Sequence, residues 1–122
     1  MYKLKIITDF DAAHQLRGYK GKCENIHGHN WKVEIEVIAE NLNEIGIAID
    51  FKELKKISDE VVSELDHTFI NEIPPFNQIN PSSENIAKWI YLNLKSKLEK
   101  IPVKLFSVTV WESDNAGATY FE

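Results

Sequence analysis

The sequence predicts an α+β domain in which one antiparallel four-stranded sheet carries two helices packed on one face, in the order ββααββ. Three observations point there. Between His29 and Val37, the residues Trp31, Val33, Ile35 and Val37 share one parity while Lys32, Glu34 and Glu36 share the other. That is the period-two pattern of a strand with one buried face. Two later segments switch to apolar spacings of three and four, the period of a helix laid on a sheet. Short runs rich in β-branched residues open and close the chain, so strands flank the helices in sequence.

Each element has a local cause. Lys3 to Phe10 alternates and is β-branched, giving a first strand that continues toward His14 until Gly18 and Gly21 break it. The second strand is the His29 to Val37 segment. A turn over Asn41 to Gly46 follows, and Asp50 with Glu53 three residues on has the form of a capping box. The helix it opens carries Leu54, Ile57, Val61 and Leu65 as one apolar stripe. Pro74, Pro75 and Pro81 fence off a loop, after which Ser82 or Ser83 caps a second helix with Ile86, Ile90, Leu94 and Leu98 on one face. Pro102 ends that run. Two final strands, Lys104 to Trp111 and Ala118 to Phe121, are joined by Ser113-Asp114-Asn115-Ala116-Gly117.

Length and composition bound the function. The 122 residues form a single domain, 1–122, able to bury about two thirds of the surface of the unfolded chain. The lone cysteine cannot pair within the chain, and Met1 to Thr8 lacks the pattern of a signal peptide, so a cytoplasmic setting is expected. No apolar run approaches the roughly 20 residues of a membrane span. A net charge of −5 argues against a nucleic-acid partner. An anionic ligand would need a local basic pocket, for which Arg17, Lys20 and Lys22 are the candidates.

The chemistry concentrates around Cys23-Glu24-Asn25-Ile26-His27-Gly28-His29. Side chains at i and i+2 of a strand share a face, so His27 and His29 can meet one ion, with His14 at the end of the paired first strand as a third ligand. Three imidazoles with one open position describe a catalytic site that favours zinc, with iron or another divalent ion as the other candidates; a closed structural zinc site completed by Cys23 is the alternative. Cys23, in a polar glycine-flanked loop, suits a base or nucleophile whose thiolate a nearby cation favours. Asp66 and His67, after the stripe of the first helix, could relay protons with it. Glu112, at the end of Val108-Thr109-Val110-Trp111, could accept two parallel N–H bonds from a planar heterocycle.

With Phe10-Asp11-Ala12-Ala13-His14, the Cys23 to His29 segment, Asp66-His67 and Trp111-Glu112-Ser113 in place, the chain resembles the 6-pyruvoyltetrahydropterin synthase family. It is most similar to the 6-carboxytetrahydropterin synthase branch of the queuosine pathway. Gly46-Ile47-Ala48-Ile49-Asp50-Phe51 and Asn80-Pro81-Ser82-Ser83-Glu84-Asn85 extend the likeness, which spans about Lys3 to Phe121. The resemblance implies a tunnelling fold (T-fold) and a homohexamer, a dimer of trimers with sites at subunit boundaries. It implies that His14, His27 and His29 hold Zn2+, that Cys23 abstracts a proton with Asp66 and His67 completing its relay, and that Glu112 grips the pterin. The implied substrate is 7,8-dihydroneopterin triphosphate. The three residues between Cys23 and His27 favour the carboxy product; the pyruvoyl-forming enzymes resemble a longer interval, and Glu24 leaves the pyruvoyl and hydroxymethyl pterins as alternatives. A non-catalytic metal or pterin binder and a purely structural oligomerising domain are the readings of different class.

Overall fold

A computed structural model describes residues 1–18 and 25–122 of the chain. Strand β1 (Tyr2–His14) and strand β2 (His27–Ala39) run antiparallel over thirteen residue pairs, from Tyr2 opposite Ala39 to His14 opposite His27. Helix α1 (Phe51–Val62) follows, then a two-residue strand β3 (Thr68–Phe69), a 3-10 turn at Ile70–Glu72 and helix α2 (Ser83–Lys97). Strands β4 (Lys104–Ser113) and β5 (Ala116–Phe121) close the chain. The sheet order is β3-β1-β2-β4-β5.

The four long strands pair antiparallel, as expected, and both helices lie on one face, α1 against β1 and α2 against β4 and β5. β3 is an addition that pairs parallel with Ala12 and Ala13 of β1. Two residues are too few to carry an alternation, so nothing in the local pattern announces it. Helix α1 also stops earlier than its stripe suggests. Val62 is its last residue, and Leu65 fills the core from the turn beyond.

The core forms where alternation and helical stripes meet. Trp31, Val33, Ile35 and Val37 of β2 are fully buried, together with Leu54, Val61, Ile86, Ile90 and Leu94 from the helices. Phe10 and Trp31 stack nearly parallel with ring centroids 5.9 Å apart. The indole N–H of Trp31 donates to the Ala12 carbonyl at 3.1 Å, so this buried ring leaves no polar atom unpaired. Asp50 caps α1 by accepting from the Lys52 N–H at 2.8 Å, and Ser82 caps α2 by accepting from the Asn85 N–H at 3.2 Å. These caps fix where each helix begins, and the second follows Pro81, whose carbonyl lies 2.8 Å from His14 at the end of β1.

Candidate metal centre

Strand parity brings the histidines together. His14 is the last residue of β1, His27 is the first of β2 directly opposite it, and His29 faces Ala12 across the ladder. All three point to the helix-covered side, on the same parity as Phe10 and Trp31, so they sit at the end of the core. Glu112 of β4 shares the parity of Val108 and Val110 and projects to that side as well. His14 Nε2 lies 2.9 Å from His27 Nε2 and 3.2 Å from Glu112 Oε1. The same Glu112 oxygen is 3.6 Å from His27 Nε2 and 2.9 Å from His29 Nε2. The donor atoms of His14, His27, His29 and Glu112 all lie within 4.8 Å of one another.

The outer nitrogens determine what this cluster presents. His14 Nδ1 is 2.8 Å from the Pro81 carbonyl, and His27 Nδ1 is 2.7 Å from the Asn25 carbonyl. A carbonyl oxygen only accepts, so each Nδ1 carries the proton, and in the neutral ring each Nε2 offers a lone pair. Two lone pairs and a carboxylate oxygen then face each other at hydrogen-bonding distance. His29 Nε2, shielded from solvent, approaches Glu112 in an orientation that makes no hydrogen bond and has no other partner among the described residues. Burial holds the His29 imidazolium below its ordinary pKa, against the pull of the Glu112 carboxylate and with the help of the His27 and His14 rings. Two imidazole lone pairs and a carboxylate oxygen converging beside the orphan His29 nitrogen make a set of four donor atoms that could hold a metal ion.

Asp66 and His67 form a separate exposed group. The Asp66 carboxylate sits 2.9 Å from His67 Nδ1 and accepts from the Asp11 N–H at 2.9 Å. The Asp11 hydrogen bond, with His67 second, holds the Asp66 carboxyl below the usual carboxylate range. The two residues lie in the turn before β3 rather than at the end of α1. His67 adopts a φ of 57°, rare for a residue with a side chain, while its N–H donates to the Asp11 carbonyl at 2.6 Å. The Asp11 carboxylate, itself held by the Asn30 amide at 3.0 Å, joins Asp66 and His67 in a second group of possible ligands.

Cys23, with Lys20, Lys22 and Glu24, lies outside the described residues. Arg17 is spent on the fold: its Nη2 donates to the carbonyls of Phe76 at 2.7 Å and Ile79 at 2.8 Å. Arg17 keeps its charge and its remaining N–H donors, and its Nη2 is held in place by these two carbonyls. The Pro81 and Asn25 carbonyls were missed by sequence reasoning because a main-chain acceptor has no residue signature. Glu112, expected to grip a ligand's ring, has its carboxylate within 3.6 Å of all three imidazoles, a neighbourhood that its strand-end position in the sequence does not reveal.

A two-layer α+β fold that gathers three imidazoles and a carboxylate at its strand ends defines a protein organised around a site able to hold a metal ion. The chain belongs to the 6-pyruvoyl tetrahydropterin synthase family, whose profile matches residues 3–122. The 6-pyruvoyl tetrahydropterin synthase of Caenorhabditis elegans superposes with a TM-score of 0.89 at 28% identity, covering 99% of this chain and 95% of that one. The architecture is thus the tunnelling fold. The 6-carboxy-5,6,7,8-tetrahydropterin synthase of Synechocystis is 38% identical over 118 residues, 92% of this chain and 87% of its own length. The dihydroneopterin monophosphate aldolase of Pyrococcus furiosus is also 38% identical, over 117 residues, covering 94% and 95%.

Proposed function

We propose that this protein is a zinc-dependent lyase that converts 7,8-dihydroneopterin triphosphate and one water to 6-carboxy-5,6,7,8-tetrahydropterin, releasing acetaldehyde and triphosphate, in queuosine biosynthesis. The observation that carries the reading is the convergence of the His14, His27 and His29 Nε2 atoms, two of them turned inward by carbonyls that hold their Nδ1 protons. Imidazole donors of this kind suit zinc, which His14, His27 and His29 would hold. When bound there, zinc supplies Lewis acidity toward the side-chain hydroxyls of the substrate.

The chain's own residues supply the rest. Cys23 serves as the base that takes the carbon-bound proton, and the paired Asp66 and His67 pass it on, Asp66 remaining ionised to orient the imidazole. Glu112 accepts from the amino-amidine edge of the pterin while its position beside the imidazoles fixes that ring relative to the ion. The name of the Synechocystis relative supports this product. A second reading, side-chain cleavage to a hydroxymethyl dihydropterin, is favoured by the likeness to the Pyrococcus furiosus aldolase.

The deciding experiment incubates the metal-analysed protein with 7,8-dihydroneopterin triphosphate and weighs the products. A carboxypterin with acetaldehyde is expected. A hydroxymethyl or pyruvoyl pterin would move the protein to the corresponding alternative, bound metal without turnover would make it a binder, and no metal would leave a scaffold.

A further inference from the structure

We propose that the Asn80-Pro81-Ser82 turn positions the metal centre, with Asn80 and Asn85 aiming the Pro81 carbonyl so that His14 turns Nε2, and not Nδ1, toward the other ligands. The inference rests on the reading that the cluster holds a metal ion. His14 is 1% exposed, so a ring nitrogen denied an acceptor here would be left unpaired in the core. The acceptor is the Pro81 carbonyl at 2.8 Å. Proline fixes its own φ but has no N–H, so the orientation of that carbonyl depends on its neighbours.

Those neighbours are tied on both sides. Asn80 Oδ1 accepts from the Arg17 N–H and Asn80 Nδ2 donates to the Arg17 carbonyl, each at 2.8 Å. One amide thus brackets the main chain three residues beyond His14, in the turn that follows β1. The carbonyl of Asn80 accepts from Asn85 Nδ2 at 2.8 Å, and the Asn85 N–H donates to Ser82 Oγ at 3.2 Å. Pro81 is therefore suspended between the turn after β1 and the first turn of α2, with its carbonyl 2.8 Å from the ligand it serves. Outer partners of this kind fix the tautomer and direction of a ligating histidine, and losing one typically lowers metal affinity about 10- to 100-fold.

The test compares wild type, Asn80→Ala, Asn80→Asp and Asn85→Ala by two readouts. The first is Zn2+ affinity by competition with a chromophoric chelator. The second is the 15N spectrum of the His14 ring in the metal-free protein, which reports the protonated nitrogen. Asn80→Ala is expected to bind Zn2+ about 10-fold or more weakly and to show His14 protonated partly on Nε2. Asn80→Asp keeps the acceptor for Arg17 and is expected to recover part of the affinity. Asn85→Ala loosens the same carbonyl from the helix side and carries the test if Asn80→Ala does not fold. Wild-type affinity together with an unchanged His14 ring in a folded variant overturns the proposal. A wild type that binds no Zn2+ while its His14 tautomer still follows Asn80 overturns the metal reading and leaves the positioning role standing.

Discussion

At the scale of single residues, Glu112 and Asp66 each carry one carboxylate whose surroundings predict its behaviour. Glu112 stands within 3.6 Å of all three imidazoles, so it either completes the ligand set or waits beside it for the pterin. Glu112→Gln separates these roles because it keeps the shape and removes the charge. The proposed role as pterin anchor expects Zn2+ to be retained and KM to rise by about 10-fold or more; loss of the metal would make Glu112 a ligand instead. Asp66 titrates below its ordinary value of 3.8 because the Asp11 N–H and His67 favour the ionised form. Its folded pKa is depressed, so its contribution to stability is fully present above pH 3.8 and is lost as the pH falls through the folded value. Asp66→Asn removes that dependence. Urea midpoints followed down from neutral pH should show wild type losing its advantage over the variant only below about pH 4, and parallel curves would show that Asp66 gains nothing from these bonds.

At the scale of elements, the hairpin of β4 and β5 shows how closely the site depends on packing behind it. Gly117 pairs with Trp111, and a Cβ there would come within 2.9 Å of two atoms of the indole ring and 3.0 Å of the Val110 carbonyl. The ring has little room to yield, since its N–H donates to Glu34 Oε1 at 2.9 Å and Lys32 lies over it. Gly117→Ala should therefore cost about 1–3 kcal/mol in denaturant unfolding and perturb tryptophan fluorescence; a variant as stable as wild type would mean that the strand slides freely. Gly117 was read in the sequence only as part of a turn, because its reason is the ring across the ladder. The same limit explains the rest of what was and was not legible. The alternation of Trp31 to Val37 and the stripe from Ile86 to Leu94 depend on neighbours within one element, and both elements formed where these residues pointed. The meeting of His14 with His27 was readable from strand parity. β3 was not, because Thr68 and Phe69 pair where the turn at His67 delivers them. The amide brackets were equally hidden, since Asn71 and Asn80 act on Gln15 and Arg17 more than fifty residues away.

At the scale of the whole molecule, the sheet leaves backbone to be paired. Among the described residues, β5 has a strand neighbour on one side only, and β3 covers β1 only at Ala12 and Ala13. The face opposite the helices also exposes Ile7, Phe106 and Phe121, at 54%, 36% and 65%. Long open edges beside apolar side chains invite association, and a closed ring of sheets removes the edges altogether. We propose that the assembly is a homohexamer of two stacked trimers, in which each trimer would close its sheets into a barrel. Light scattering on the purified protein should then give a particle six times the 14.1 kDa chain mass. Phe121→Lys places a charge on the edge strand at its most exposed apolar position, and it should shift that particle toward single chains while the chain keeps its helical and strand signature in circular dichroism. If sites lie at subunit boundaries, turnover should fall with the assembled fraction as the variant is diluted. A wild-type protein that runs as a monomer and turns over at full rate would exclude both the assembly and the shared sites.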